Sequence, residues 1–307
     1  MAVLYRIDES FDRSFFKDTS CAFGVFDGVH TGHRYLLESA VETACASGGK
    51  SVALTFDVDP DEIFSPATTR KIMSNEERLE ALAASGVDAV AVFPFTPEFA
   101  ANDPADFLSL AFGDGAPAYL HVGSDFRFGA RAAGSVNDLN AWAEKSGTRI
   151  QAHHLLNDDG APITATRIRT LLGQGYIEEA NRLLGHRYFV VGEVEPGRGE
   201  GADFGFRTAN VSIPEQRRTL GEGVYAAYAF VDGVGYKAAV NVGVPPTFAD
   251  RSTSVIEAHL LDFEGDLYGA ALRIEFTNWL RALRNFSSVD KLISTVNYNI
   301  EWVRANL

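Results

Sequence analysis

The chain has 307 residues, which is enough for two domains at about 150 residues each. Hydrophobic residues make up 46% of it and charged residues 22%, a composition that is typical of folded globular proteins and excludes bulk disorder. The formal net charge of −14 excludes general affinity for nucleic acid or for an anionic membrane surface.

Charge is distributed unevenly along the chain. Residues 1–185 carry 15 basic and 26 acidic side chains, a net charge of −11, whereas residues 186–307 carry 12 and 15, a net charge of −3. The difference predicts two domains, residues 1–185 and residues 186–307.

Short apolar runs alternate with helical patterns through the first 185 residues. The apolar runs have the composition of strands buried on both faces and lie at 22–26, 51–56, 89–93, 118–122 and 149–155. Helical patterns lie at 33–47, from Ser74 onward, and at 104–112, 136–145, 166–172 and 177–184. This alternation predicts an α/β domain with a doubly wound parallel sheet, in which ligands bind beyond the carboxyl ends of the strands.

After residue 185 the pattern changes to strands that follow one another without helices. They are expected at 188–194, 224–231, 236–242, 256–261 and 272–276, and Asp232-Gly233 indicates a hairpin turn. These features predict an antiparallel β-barrel. A terminal helix from Ser287 or Ser288 is expected to pack through an apolar stripe of Leu292, Val296, Ile300, Val303 and Leu307.

Targeting signals and disulfides are not expected. No run of about 18 apolar residues occurs, and the N-terminus lacks the pattern of a signal peptide. Cys21 and Cys45 show no metal-ligand spacing and are expected to be buried thiols. We therefore expect a cytoplasmic protein without a membrane or nucleic-acid partner, whose oligomeric state the sequence leaves open.

The local pattern that points most clearly to chemistry is G-V-F-D-G-V-H-T-G-H, which follows the first predicted strand and opens the first predicted helix. It contains Gly24, Asp27, His30, Gly32 and His33. A glycine-bearing turn at a helix N-terminus lets backbone N–H groups approach phosphate, and two imidazoles there can donate to a nucleotide's phosphates. The spacing H-x-G-H favours nucleotide binding over an incidental pair of histidines.

Two further segments of the first half carry polar groups suited to a nucleotide or a planar ring. Thr166, Arg167 and Arg169 can place hydroxyl and guanidinium groups at a helix start. Taken alone, these residues favour a capped helix with solvated arginines, and phosphate binding gains support only from the H-x-G-H motif. Asp125, Phe126, Arg127 and Phe128 follow the fourth predicted strand and either hold a ring and an anion or form a loop with packed phenylalanines.

In the second half, a glycine-rich loop containing Gly199 and Gly205 leads into a strand with Thr208 and Asn210. Residues two apart on a strand project to one face, so these two side chains could ligate a Mg²⁺ shared with ATP. Glu257 lies in an apolar strand, where it is either a general base for a hydroxyl or an outward-facing residue of ordinary alternation.

At these residues the chain resembles the bacterial bifunctional riboflavin kinase/FAD synthetase family. The N-terminal part resembles the FMN adenylyltransferase module through G-V-F-D-G-V-H-T-G-H, T-F-D-x-x-P, V-G-S-D-F-R-F-G and T-A-T-R-I-R. The C-terminal part resembles the riboflavin kinase barrel through G-F-x-T-A-N, G-V-Y-A, N-V-G-x-x-P-T-F, I-E-A-H-L-L-D-F and D-L-Y-G. The motifs occur in the family's order over nearly the whole chain.

The resemblance implies phosphorylation of riboflavin to FMN and adenylylation of FMN to FAD, with ATP and Mg²⁺. It implies that His30 and His33 bind the phosphates of ATP, and that Arg169, with Thr166, holds the outer phosphates. Residues 125–128 would lie on the flavin side of that site. In the kinase module, Thr208 and Asn210 would hold Mg²⁺-ATP, and Glu257 would activate the ribityl 5′-hydroxyl.

Six places depart from the family's pattern. They are Val58-Asp59 where Pro-His is usual, Ala165 in place of a hydroxyl residue, Ala202 in place of arginine, Arg207 in place of proline, Pro245 in place of arginine, and Leu283 in place of an acid. These departures leave open a protein with one activity, most simply the adenylyltransferase. A flavin-binding sensor without turnover and an H-x-G-H adenylyltransferase for another acceptor are the remaining alternatives, and the motifs of the second half disfavour the latter.

Overall fold

The computed structural model describes residues 1–64, 70–196, 206–214, 217–218, 220–243 and 255–307. The chain divides into two compact units, Met1–Thr69 with Met73–Ala165, and Arg70–Ile72 with Thr166–Leu307. In this division the residues between Thr166 and position 185 belong with the second unit. The domain boundary after residue 185 stays a prediction.

The first unit is built on a parallel sheet of six strands in the order β1-β4-β3-β2-β5-β6. Its strands are β1 (Val3–Arg6), β2 (Ser20–Phe23), β3 (Ser51–Phe56), β4 (Ala89–Phe93), β5 (Tyr119–Gly123) and β6 (Arg149–His153), followed by the short hairpin β7 (Asn157–Asp158) and β8 (Ala161–Pro162). Its helices are α1 (Thr31–Ser47), α2 (Pro60–Phe64), α3 (Asn75–Ala83), α4 (Pro97–Ala100), α5 (Pro104–Phe112) and α6 (Val136–Ser146). The predicted α/β domain with a parallel sheet is confirmed.

The sheet's central strands are buried on both faces, as the apolar runs predicted. Every residue of β3 and β4 is buried. Phe23, Phe56, Phe93 and Phe107 pack into one aromatic cluster with ring centroids 5.6 to 6.5 Å apart. Such pairs add about 0.5–1.5 kcal/mol each beyond the burial of apolar area, so this cluster anchors the strand ends that precede the site.

Helix α3 begins where its capping box predicts, whereas α1 begins at Thr31, two residues before its predicted start, and the short helices α2 and α4 were not predicted. The Ser74–Glu77 capping box is present, with each side chain accepting the other residue's backbone N–H. The expectation that both cysteines are buried is wrong for Cys45, which is exposed. The buried stripe of α1 runs through Leu36, Leu37, Ala40 and Ala44, so Cys45 lies on its outward face.

Most strands lie within one or two residues of their sequence-based bounds; β14 extends five residues beyond its predicted end, and the first two strands of the sheet differ for physical reasons. The edge strand β1 was not predicted because it has four residues and exposes Val3 and Leu4. The strand predicted over 22–26 lies instead at Ser20–Phe23, and Phe26 is excluded from it because it adopts a left-handed conformation (φ 63°).

A chain of hydrogen bonds crosses the sheet from Ser20 to His153. Ser20 Oγ lies 3.1 Å from His121 Nε2, and His121 Nδ1 lies 2.9 Å from His153 Nε2. His121 is buried on β5, and its burial, together with the nearby His153, lowers its pKa to about 4. Burial also lowers the pKa of His153.

We expect the first unit to lose stability between about pH 6.5 and pH 4. An unfolded His121 takes up its proton near pH 6.5, whereas the folded residue does so only near pH 4, so acid favours the unfolded state across that window. The loss should be of the order of 2 kcal/mol after solvent screening. The midpoint temperature of thermal unfolding, measured from pH 7 to pH 4.5, tests this loss of stability. His121→Gln should make the midpoint depend less on pH. His154→Gln, a change at an exposed histidine, should leave the pH dependence of the midpoint as in the wild type.

The second unit contains a closed antiparallel barrel with strand order β10-β13-β12-β11-β14-β9. Its strands are β9 (Phe189–Glu195), β10 (Ala209–Ser212), β11 (Gly223–Val231), β12 (Val234–Gly243), β13 (Val255–Leu260) and β14 (Ala271–Arg281). Helices α7 (Ala165–Gln174) and α8 (Ile177–Leu184) precede the barrel, and α9 (Val289–Asn306) ends the chain. The predicted barrel with a terminal helix is confirmed.

The hairpin and the terminal helix of this unit follow their sequence signals. Asp232 and Gly233 both take positive φ angles, 48° and 81°, between β11 and β12, as a two-residue turn of this kind requires. Ser288 caps α9 by accepting the N–H of Lys291. Val303 is fully buried in a cluster with Ala226 and Leu261, so the apolar stripe is a packing face. Within the described part of the chain, no helix has the length and apolarity needed to cross a bilayer.

Candidate active sites

The first candidate site is the loop between β2 and α1, at the carboxyl end of a central strand. Its backbone takes positive φ angles at Phe26 (63°), Gly28 (77°) and Val29 (38°). Left-handed conformations at a phenylalanine and at a β-branched valine are uncommon and cost about 1–3 kcal/mol each. The loop therefore holds a shape that its own residues disfavour, as is typical of binding loops.

His30 ends this loop and caps α1. Its Nδ1 accepts the backbone N–H of His33 at 3.3 Å, so in the neutral ring the proton lies on Nε2, which can donate. A side chain at Gly32 would lie 3.2 Å from the His30 ring and 3.7 Å from the carbonyl oxygen of Ile163. Gly32 thus leaves room for His30, and the segment that leads to Thr164 lies beside this turn.

His33 lies in the first turn of α1 and stacks on His30, with ring centroids 3.6 Å apart and planes at 18°. Burial first, and then the neighbouring His30 and Arg78, hold the pKa of His33 well below its usual value of 6.5. Among the described residues, its buried Nδ1 has no hydrogen-bond partner. A partly exposed ring with an unsatisfied buried nitrogen at a helix N-terminus is suited to receive an anion, whose negative charge favours the protonated imidazole.

Asp27 and Gly24 shape the loop from inside. Asp27 is buried and accepts the backbone N–H of Met73 at 3.2 Å. A Cβ at Gly24 would meet the Phe26 ring at 3.2 Å. Their roles in ATP binding stay predictions, and the contacts seen are those of residues that hold the loop in place.

The segment of residues 125–128 follows β5 and divides into exposed and packed parts. Asp125 and Arg127 are exposed. Phe128 is buried in the core against Phe107, and Phe126 is half-buried with its ring centroid 5.4 Å from that of Phe23. The flavin contacts predicted here stay predictions, and Phe128 supports the ring of Phe126, with centroids 5.8 Å apart.

The two arginines of the T-A-T-R-I-R segment have different surroundings. Arg167 forms an ion pair with Glu179 at 3.2 Å. Arg169 lies near Arg218, since both Arg70 and Arg169 contribute to the lowered pKa of Arg218, although burial of that guanidinium contributes more. Thr166 is exposed in the first turn of α7. Thr166 and Arg169 belong to the second unit, so their role toward ATP stays a prediction.

The second candidate site is a row of polar side chains across three barrel strands. Asn210 on β10 is paired in register with Glu257 on β13, and Glu257 with Asn241 on β12. Residues directly opposite on antiparallel strands share a face, so these three side chains are neighbours. Asn241 Nδ2 donates to Glu257 Oε2 at 3.4 Å. Glu257 is half-buried between the buried Ile256 and Ala258, so it lies on the opposite face of the strand from these two.

Thr208 and Arg207 lie just before this row. Strand β10 begins at Ala209, so the expectation that Thr208 lies on the strand is wrong by one residue, and its side chain is exposed. The carbonyl oxygen of Arg207 lies 2.8 Å from His259 Nδ1, a contact that ties the segment before β10 to β13. Gly199, Gly205, Ala202 and Pro245 lie outside the described residues.

Sequence reasoning missed Asn241 and Arg78. Asn241 opens the N-V-G-x-x-P-T-F motif, which the resemblance had already marked. No sequence signal identified Arg78, since an arginine directly after a capping box is usually on the solvent face of its helix. In the structure it is 2% exposed.

Comparisons with known proteins match both halves of the chain. A family model described as FAD synthetase matches residues 12–167, and one described as riboflavin kinase matches residues 184–307. The bifunctional riboflavin kinase/FMN adenylyltransferase of Pseudomonas fluorescens is 32% identical over 92% of this chain and 91% of its own length. The enzyme of that name from Escherichia coli K12 is 34% identical over 88% and 86%.

A similar solved structure covers nearly the whole chain. It is described as a macrolide-efflux protein from Streptococcus pneumoniae and is 25% identical to this chain, and the match covers 99% of each chain with a TM-score of 0.87.

The parallel sheet, the barrel and the two matched models define a two-domain transferase with a FAD synthetase domain and a riboflavin kinase domain. The chain belongs to the family of bifunctional riboflavin kinases/FMN adenylyltransferases.

Proposed function

We propose that this protein phosphorylates riboflavin to FMN and then adenylylates FMN to FAD, each step at its own site. The observation that supports this most is the coexistence of the stacked His30–His33 pair at a helix N-terminus with the Asn210–Glu257–Asn241 row on the barrel. Adenylyl transfer needs donors for developing phosphate charge, whereas phosphorylation of a hydroxyl needs a base.

In the adenylyl-transfer step, a phosphate oxygen of FMN attacks the α-phosphorus of ATP, and pyrophosphate leaves. His30 Nε2–H and the His33 ring donate to phosphate oxygens as negative charge builds on them, and the first N–H groups of α1 add their partial positive charge. For Arg169 and Thr166, the resemblance to the family is what supports a role in holding the outer phosphates. Because the chain's net charge is −14, these local groups must supply the attraction for ATP.

In the kinase step, Glu257 takes the proton of the ribityl 5′-hydroxyl, whose oxygen attacks the γ-phosphorus of ATP, and ADP leaves. Asn241 orients the carboxylate by donating to Oε2, which leaves Oε1 to accept the substrate's proton.

The oxygen donors of Thr208 and Asn210 fit Mg²⁺, which prefers oxygen ligands and is usually held by few protein groups together with substrate phosphates. Within the described ranges no cluster of three or more His, Cys, Asp or Glu residues is present to form an all-protein metal cage. When bound, Mg²⁺ neutralises phosphate charge in the transferring group.

We place the enzyme in the cytoplasm, acting on small molecules.

The proposal is tested by supplying the protein with ATP, Mg²⁺ and either riboflavin or FMN and separating the flavins by chromatography. Riboflavin should yield FMN and then FAD, FMN should yield FAD, and EDTA should stop both. FAD from FMN without FMN from riboflavin would leave only the adenylyltransferase. Flavin binding with neither product would contradict the proposal and favour a sensor.

A further inference from the structure

We propose that Arg78 is a positioning residue for adenylyl transfer, which holds the loop before His30 in its reactive shape. It lies on α3, outside every motif that marks the two sites, and nothing in the proposed chemistry uses it. The inference rests on the proposed role of His30 and His33.

Arg78 joins the carboxyl ends of two adjacent strands. Its Nη1 donates to the carbonyl oxygen of Val25 at 3.1 Å, after β2, and to Thr55 Oγ1 at 2.7 Å, on β3. Its Nη2 donates to the carbonyl oxygens of Phe56 (2.8 Å) and Asp57 (3.4 Å) and to Asn75 Oδ1 (3.2 Å). One planar guanidinium thus fixes the loop after β2, the loop after β3 and the start of α3 relative to one another.

The bond to Val25 matters because the next residue begins the disfavoured part of the loop. Phe26 and Val29 hold left-handed conformations that persist only when surrounding contacts over-determine them. Thr55 Oγ1 also donates to the Val25 carbonyl oxygen, at 3.3 Å, so this oxygen accepts hydrogen bonds from both Arg78 and Thr55, which are themselves hydrogen-bonded. Releasing it lets the loop relax and shifts His30 and His33, which follow directly.

The charge of Arg78 acts on the same site. Burial lowers the pKa of Arg78, and four nearby carboxylates oppose that shift, those of Asp59, Asp27, Glu62 and Asp57. The buried cation is therefore surrounded by negative charge. Its charge is one cause of the lowered pKa of His33, after burial and His30. Before ATP binds, Arg78 therefore helps to keep the His33 imidazole neutral. Asp59 is one of these carboxylates and is buried, so at the departure Val58-Asp59 the aspartate stabilises the charge of Arg78.

The test compares Arg78→Lys and Arg78→Gln with Arg149→Gln, an exposed arginine of the same unit. Lysine keeps the charge but has one nitrogen with three N–H groups, which cannot serve the five acceptors that the two guanidinium nitrogens reach, so its kcat for FAD formation should fall about 30-fold, and that of the glutamine variant about 100-fold or more. Formation of FMN from riboflavin should stay unchanged in both, as an internal check. In Arg78→Gln, the pKa of His33 followed by NMR should rise, whereas in Arg78→Lys it should change little.

Two outcomes separate this inference from the proposed function. If His33→Ala abolishes FAD formation while both Arg78 variants keep the wild-type kcat, the positioning role is wrong and the site stands. If His33→Ala leaves FAD formation intact, the assignment of adenylyl transfer to the His30–His33 site is wrong, whatever the Arg78 variants show. Should the Arg78 variants not fold, Thr55→Val decides, because it removes the two hydrogen bonds of Thr55 Oγ1, to Arg78 and to the Val25 carbonyl oxygen, with little change in side-chain shape. It should lower kcat about 3- to 10-fold, and an unchanged kcat would overturn the inference.

Discussion

Replacing His33 with alanine should abolish FAD formation from FMN while FMN formation from riboflavin continues at the wild-type rate. His33 offers a ring at the N-terminus of α1, stacked 3.6 Å from His30, with a buried nitrogen that has no partner among the described residues. Loss of one donor that meets developing charge costs about 10²- to 10³-fold in kcat. Chromatographic rates with FMN and ATP measure the first activity, and rates with riboflavin and ATP measure the second.

The matched control for this variant is His154→Ala, an exposed histidine of the same unit that follows β6. It should retain both activities. If His33→Ala also stopped FMN formation, the two reactions would not be independent. If it kept more than about a tenth of the FAD-forming rate, His33 would not be among the groups that stabilise the transferred phosphate.

Glu257→Gln should have the opposite effect, abolishing FMN formation from riboflavin and sparing FAD formation from FMN. The amide is nearly the shape of the carboxylate and keeps an acceptor toward Asn241, but it cannot take a proton from a hydroxyl. Removal of a general base costs about 10²- to 10⁴-fold in kcat, and the KM for riboflavin should change little because the geometry is kept.

Glu264→Gln is the matched control for Glu257→Gln, since Glu264 is exposed in the segment that follows β13. Both activities should persist in it. Full kinase activity in Glu257→Gln would support the plain alternative, in which Glu257 is the polar residue of an ordinary alternating strand.

The fold could be predicted from the sequence because strand runs and helix caps are local signals. The fully buried β3 and β4 and the capping box at Ser74 follow directly from residue type and spacing. The errors arose where tertiary contacts override local preference. Phe26 lies outside β2 and adopts a positive φ, which nothing in a phenylalanine's own preferences predicts. The short edge strand β1 gains its structure only by pairing with β4.

The candidate sites were predicted less completely than the fold. Sequence motifs identified His30, His33, Asn210 and Glu257, because these residue types are unusual at a strand-to-helix junction and in an apolar strand. Asn241 lies 16 positions from Glu257 and becomes its neighbour only through the register of β12 and β13. Arg78 is 53 positions from Val25, and its burial depends on how α3 meets two strand ends. Such groups require the three-dimensional arrangement.

The most direct test of two separate sites in one chain is to mix purified His33→Ala and Glu257→Gln proteins with riboflavin, ATP and Mg²⁺ and to follow FAD. Each variant alone should form none, because one lacks the adenylyl-transfer step and the other lacks its FMN. The mixture should form FAD, since FMN released by His33→Ala is a substrate for Glu257→Gln. FAD from either variant alone, or none from the mixture, would contradict the assignment of the two reactions to these two sites.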